Sequence, residues 1–317
     1  MPHSLVVGLS GGLDSTVLLH LLAQIQKNDP QAFALSAVHV HHGLQPAAQA
    51  FADHCQALCN DLNIALTILP IAIPAQEISD LGVEAAARKH RYAEIASHLP
   101  ENAVLVLAHH RDDLLETALL QWVRGAGLEG LSAMTAFSEM TVHEKTFPRW
   151  RPLLNESRES LQAYAQRQGL TWVEDPSNAS TEFARNRIRQ QVMPVLKSLR
   201  EGADVAMARS IGHLQTAREL LDRLTEQALS RCVGEHEGAS ALQISKLVTL
   251  GTPMAARVVR AWLKTCGAPT PPAKRLEEFL RQIQEAREPF AQMDLADPVT
   301  GQHWTVFRGR DWLGLRR

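Results

Sequence analysis

Apolar positions along this chain fall into two alternating rhythms, short unbroken runs and stripes at helical spacing, and their order predicts the architecture. Leu5 to Leu9 is an unbroken run suited to a buried strand, and Leu13 to Leu22 repeats at helical spacing. The pair then recurs. Phe33 to Val40 reads as a strand, about Ala47 to Leu62 as a helix, Ala65 to Ile71 as a strand, and a Pro-containing loop runs to about Gly82. Val83 to Leu99 reads as a helix and Val104 to Ala108 as a fourth strand. Strict alternation of this kind predicts an α/β fold, a doubly wound parallel sheet whose ligands sit beyond the carboxyl ends of the strands.

The rhythm changes further along. Thr141 to Trp150 is β-prone with a turn near His143 to Lys145, a helix is expected over about Glu156 to Gln168, and Thr171 to Val173 reads as a short strand. Past Arg200 to Asp204 the alternation stops. Long helical patterns follow at Val205 to Cys232, Pro253 to Cys266 and Ala273 to Arg287, and the tail holds two short strand-like pieces, Trp304 to Phe307 and Asp311 to Leu315. The break at Glu201-Gly202-Ala203 therefore divides the chain into an expected first domain, 1–200, and a smaller, mainly helical domain, 203–317.

Composition narrows the class. With 45% hydrophobic and 21% charged residues the chain is an ordinary globular protein. No apolar run is long enough to cross a bilayer and the first strand opens without a leader, so a cytoplasmic protein with no membrane association is expected. Four cysteines make no disulfide framework; Cys55 and Cys59 share one helix face and read as small buried hydrophobes. A formal net charge of -2 means that nucleic-acid binding must be sought in local patches.

Three strand ends carry chemistry. At the first, Gly11 and Gly12 permit close backbone approach, and Asp14, Ser15 and Thr16 offer N-cap oxygens at the helix start. Free N–H groups there suit a phosphate, and Asp14 suits a magnesium ion beside it. The second is the histidine run from His39 to His42, and the third is His109 to Thr117, where Asp112, Asp113 and Glu116 make an acidic face at a helix start. Elsewhere, Glu84, Arg88 and Arg91 share a helix face, a spacing that a solvent-exposed ion-paired surface explains by itself. Arg185, Arg187 and Arg189 cannot all occupy one face, a poor arrangement for surface pairing and a sound one for gripping several phosphates or carboxylates.

Ser10-Gly11-Gly12-Leu13-Asp14-Ser15 resembles the pyrophosphatase loop of enzymes that split ATP between its α and β phosphates. The turn His41 to Leu44, Glu84 with Arg88, the Arg91-Tyr92 pair, Ala108 to Thr117, Arg124 to Gly130, Arg151-Pro152-Leu153 and Asp175-Pro176-Ser177-Asn178 through Arg189 complete a resemblance to the tRNA(Ile)-lysidine synthase family, running from Ser10 to about Leu196. That resemblance implies an adenine nucleotide α-hydrolase-like PP-loop domain followed by a tRNA-binding domain. It implies an ATP-dependent ligase that adenylates the wobble cytidine of an isoleucine tRNA with a CAU anticodon and joins free L-lysine at carbon 2, leaving AMP and pyrophosphate. No stable protein partner is evident.

By the same resemblance, Ser10, Gly11, Gly12, Leu13, Asp14 and Ser15 bind ATP, and Asp14 with Asp113 engages Mg2+, the incoming ammonium, or both. His109 and Asp113 are the two acceptors open for the lysine proton, with Asp14 and Arg88 completing the catalytic set. Glu84, Arg88, Asp113, Glu116, Arg185, Arg187 and Arg189 are the expected substrate-binding residues. Two other classes compete. A thiolase or amidating synthetase would want cysteine pairs, a persulfide carrier or a glutaminase domain, and none is visible. A nucleotide-binding regulatory protein would have no need of acids facing the ATP site.

Overall fold

The structure, a computed structural model, describes residues 3–41, 48–174, 184–285, 291–297 and 301–317. The chain divides into two compact units, 1–215 and 216–317.

The first unit opens β1 (His3–Gly8), α1 (Leu13–Asn28), β2 (Phe33–His41), α2 (Ala48–Asp61) and β3 (Ala65–Pro70). It continues α3 (Ala75–Leu81), α4 (Val83–His98), β4 (Ala103–Val106), α5 (Arg111–Val123) and α6 (Leu128–Leu131). A hairpin of β5 (Phe137–Val142) and β6 (Lys145–Trp150) leads to α7 (Arg158–Gln168), α8 (Ala184–Arg187), a π-turn (Ile188–Val192), α9 (Met193–Leu199) and the long α10 (Ala203–Cys232). The sheet order is β3-β2-β1-β4-β6-β5, parallel throughout except for the β5–β6 hairpin at one edge.

Alternation along β1 explains why helices cover both faces. Leu5 and Val7 pack with Leu18 of α1, Cys55 and Cys59 of α2 and Leu161 of α7. Val6 faces the other way, onto Tyr92, Ile95 and Ala96 of α4. The chain moves outward from β1 through β2 and β3, then returns to lay β4 on the opposite side of β1. The carboxyl ends of β1 and β4 therefore flank the point where strand order reverses, the place where such sheets hold ligands.

The structure departs from the expected elements at several points. The Pro-containing loop before Gly82 holds α3, which Pro74 opens and Gly82 ends at φ +81. Thr171 to Val173 forms no strand; Val173 N donates a single bond to Gly11 O at 3.0 Å. Gly12 is the N-cap of α1 with no side-chain cap bond, so Asp14, Ser15 and Thr16 lie inside the helix. Gly202, at φ +70, marks the expected break before α10, while the division into units falls within that helix, after Gln215.

In the second unit, α11 (Ile244–Val248), α12 (Thr252–Thr265) and α13 (Ala273–Glu285) pack with a five-stranded antiparallel sheet. Its strands are β7 (Val233–His236), β8 (Ala239–Gln243), β9 (Gln292–Ala296), β10 (His303–Arg308) and β11 (Trp312–Arg316), in the order β7-β8-β11-β10-β9. The tail strands match the expected pair. The other three are additions to a region read as helical.

Candidate active site

The turn after β1 is tied down from below and from within. His39 Nδ1 lies 2.8 Å from Leu9 O and Leu9 N donates to Val38 O at 2.8 Å, so the buried His39 holds the base of the loop. Gly11 stands at φ +83, a conformation that strains any L side chain, and a Cβ there would also crowd Cys55 Sγ at 3.1 Å. Ser15 Oγ accepts from Ser10 N at 3.2 Å, lies 3.0 Å from Ser10 Oγ and donates to Gly12 O at 3.1 Å. The first helical bond is Thr16 N to Gly12 O, which leaves the N–H groups of Leu13, Asp14 and Ser15 at the helix start without helical acceptors. That is a preformed anion cradle.

Across the crevice, His110 caps α5 and becomes the hub. Its Nε2 lies 3.6 Å from Asp14 Oδ2 and 3.5 Å from Asp113 Oδ2, and its Nδ1 lies 3.6 Å from Asp112 Oδ2. Burial opposes charging this ring, yet the carboxylates of Asp112, Asp14 and Asp113 overcome that and raise its pKa to about 10. Around it, Lys197 Nζ meets Asp112 Oδ1 at 3.0 Å, and Arg158 N donates to Asp112 Oδ2 at 3.0 Å. Contact with His110 foremost holds the Asp112 carboxyl well below the usual range.

Because an unfolded histidine titrates near 6.5, the imidazolium stabilises the fold fully below about pH 6.5 and this contribution drains away towards pH 10. Urea unfolding of the metal-free chain and of His110→Gln is expected to show a stability gap that narrows steadily between those limits. A gap constant across that range would mean a neutral ring.

Asp113 Oδ2 also accepts from His110 N at 3.0 Å, while its Oδ1 accepts from Arg185 Nη2 at 2.8 Å. Glu116, fully buried, accepts from Arg185 Nε at 2.8 Å and from Arg189 Nε at 2.6 Å. Four acids thus face four cations, and the least occupied carboxylate is Asp14, whose Oδ1 is buried with no hydrogen-bond partner among the described residues.

His109 lies beside this cluster in a different setting. Its Nδ1 accepts from Arg151 Nε at 3.1 Å, which leaves the proton on Nε2. Burial, with Arg151, Arg185 and Arg88 nearby, pushes its pKa down to about 4. His109 is therefore built as a neutral N–H donor. Arg151, itself buried, also donates to Thr135 O at 2.8 Å.

The structure thus brings Asp14, His109, Asp113, Glu116, Arg185 and Arg189 into one region. Arg88 is exposed, its guanidinium 5.1 Å from the Tyr92 ring centre, and close enough to depress His109. Arg187 is exposed, whereas Arg185 and Arg189, four apart on one face, share Glu116. Between them these two arginines reach two carboxylates of the chain, Asp113 and Glu116. Glu84 belongs to α4 and its side chain lies outside the described residues, as do His42 to Leu44 and Asp175 to Asn178. His110 and Arg151 lie within stretches that the sequence marks, but the sequence assigns neither of them a role. A histidine placed between a glycine-loop acid and two following acids, and an arginine closing a strand, were the available signals.

The PP-loop domain family matches residues 1–196, and the TilS substrate binding domain family matches residues 242–313. A tRNA(Ile)-lysidine synthase of Actinobacillus pleuropneumoniae serotype 3 (strain JL03) is 38% identical over 296 residues, which cover 93% of this chain and 67% of that protein. The chain belongs to the tRNA(Ile)-lysidine synthase family. The family member from Pseudomonas syringae pv. tomato is 42% identical over 263 residues, 81% of this chain and 57% of its own length. The chain thus spans roughly three fifths to two thirds of the tRNA(Ile)-lysidine synthases it matches. Among solved structures, the U34-tRNA thiolase NcsA from Methanococcus maripaludis with its [4Fe-4S] cluster superposes with a TM-score of 0.54 at 17% identity, over 68% of this chain and 72% of that one. That likeness is one of fold. No helix among the described residues is long and apolar enough to cross a membrane.

Proposed function

We propose that this chain carries the ligase activity its relatives are named for: ATP adenylates the 2-carbonyl oxygen of the wobble cytidine of an isoleucine tRNA with a CAU anticodon, and L-lysine then displaces AMP to form lysidine. The observation that carries this reading is the meeting of Asp14, from the glycine loop, with Asp113, from the neighbouring strand end, at His110 Nε2. A phosphate cradle and an acid cluster thereby share one crevice.

The chemistry needs both. The cytosine 2-carbonyl becomes displaceable only when its oxygen leaves as AMP, and the lysine ε-ammonium must lose a proton before its nitrogen can bond to carbon 2. The N–H groups at the start of α1 suit the ATP phosphates. Asp14 Oδ1, buried and with no partner among the described residues, fits Mg2+, which when bound would neutralise phosphate charge. Asp14 would lend such an ion a carboxylate oxygen. Asp113, already tied to Arg185 and to the His110 N–H, is the weaker candidate for the metal. His109 is a poor proton acceptor because Arg151 occupies its Nδ1. Arg88, exposed beside the site, suits a carboxylate or phosphate.

Incubation with ATP, Mg2+, bulk tRNA and labelled lysine is expected to put label into tRNA; pyrophosphate release should require tRNA, and release beyond one turnover should require lysine as well. Release without tRNA would point to a small-molecule synthetase instead. Affinity for tRNA should fall steeply with salt.

A further inference from the structure

The sheet of the second unit has two unlike faces. Leu242, Met293, Leu295, Val306 and Leu313 point into the helices. Register places the alternate residues on the opposite face: Phe307 lies opposite Gly314 across β10 and β11, and Trp312 opposite Gln243 across β11 and β8. On that face the floor is cut down to glycine beneath two rings. A Cβ on Gly314 would collide with Phe307, and one on Gly234 would come within 2.9 Å of the Trp312 ring.

Aromatic cover over strand glycines stabilises a sheet by itself. It does not account for what accompanies the rings here. The exposed Arg316 holds its guanidinium 5.3 Å from the Phe307 ring centre, and the exposed His236 lies nearly parallel to Trp312, 10° apart with centres 6.0 Å apart. Each ring remains only partly buried. Asp294, an acid on this face, accepts a bond from Thr305 Oγ1 at 2.8 Å, and Glu237 in the β7–β8 turn lies 4.0 Å from His236 Nε2. Half-exposed rings lying against a sheet, with a cation at their side, match the chemistry of an unpaired base and its phosphate.

We propose that this face is an RNA platform that stacks unpaired bases of the tRNA on Phe307 and Trp312 and holds an adjoining phosphate with Arg316. The inference rests on tRNA being the substrate and adds where, and through which chemistry, the second unit meets it. Duplex RNA offers no open base faces to such rings, so loops and ends are the parts recognised.

The test uses the 317-residue chain and unmodified tRNA(Ile) transcript. Phe307→Leu and Trp312→Leu are each expected to weaken binding about 5- to 150-fold with the salt slope unchanged. Phe307→Tyr and Trp312→Phe, which keep a ring, should bind close to native. Arg316→Gln should lower the slope of log affinity against log salt by about one. Ultraviolet crosslinking of the native chain to tRNA should label peptides of β10 and β11, and it decides the matter if a leucine variant fails to fold. Leucine variants that bind at native strength, or crosslinks absent from those peptides, would overturn the platform while lysine incorporation by the native chain continued. A native chain that neither binds tRNA nor incorporates lysine would instead remove the ligase reading, and the platform with it.

Discussion

Asp14→Asn is expected to lower tRNA-dependent pyrophosphate release at least about 100-fold, the scale on which loss of one preorganised electrostatic contact acts. The substitution conserves shape and removes charge at the carboxylate whose Oδ1 has no other partner among the described residues. The fold should survive, because His110 keeps Asp112 and Asp113 around its ring. Thermal unfolding alongside the pyrophosphate assay separates the two effects. Release near the native rate would show that Asp14 has no part in AMP transfer.

Glu116→Gln should act in the opposite sense, on stability first. Glu116 is fully buried and is the shared anion of Arg185 and Arg189, so the amide leaves two half-buried guanidiniums without their common partner. Breaking a buried pair from one side costs about 3–5 kcal/mol, and the unfolding midpoint of the first unit should fall accordingly. The Glu116 carboxylate fixes both guanidiniums by hydrogen bonds. A variant as stable as the native chain but with a raised KM for lysine would return Glu116 to the role of a direct substrate ligand.

Much of this was readable in the residues before any coordinates. The alternating apolar runs placed β1 to β4 and the helices α1, α2 and α4, because the central strand β1 is buried on both faces and each helix needs one apolar stripe. The loop chemistry was readable for a similar reason, since Gly11 and Gly12 serve little purpose away from a tight turn. The strands β7, β8 and β9 escaped notice because their stretches carry Gly234, Glu235, Ala239 and Asp294 in place of a β-branched pattern. The hub role of His110 was hidden for another reason. It depends on distances between loops of different strands, which spacing along the chain does not encode. Spacing did place Arg185 and Arg189 four apart, but their shared partner lies far away in sequence, on α5.

The π-turn between α8 and α9 has a consequence for how the length of the chain can vary. A π-turn is an α-helix carrying one surplus residue, absorbed as a local widening so that both flanks keep their orientation. Upstream, Arg185 faces Asp113 and Glu116; downstream, Lys197 faces Asp112. Excising the exposed Gln191 would return the run to plain α-helix with each flank still aimed at its acid. The same deletion within α9 ahead of Lys197 would swing that ammonium by about 100°. Ile188–Val192 is therefore the expansion joint of this segment, where descendants of a common ancestor could differ by one codon and keep the same grip.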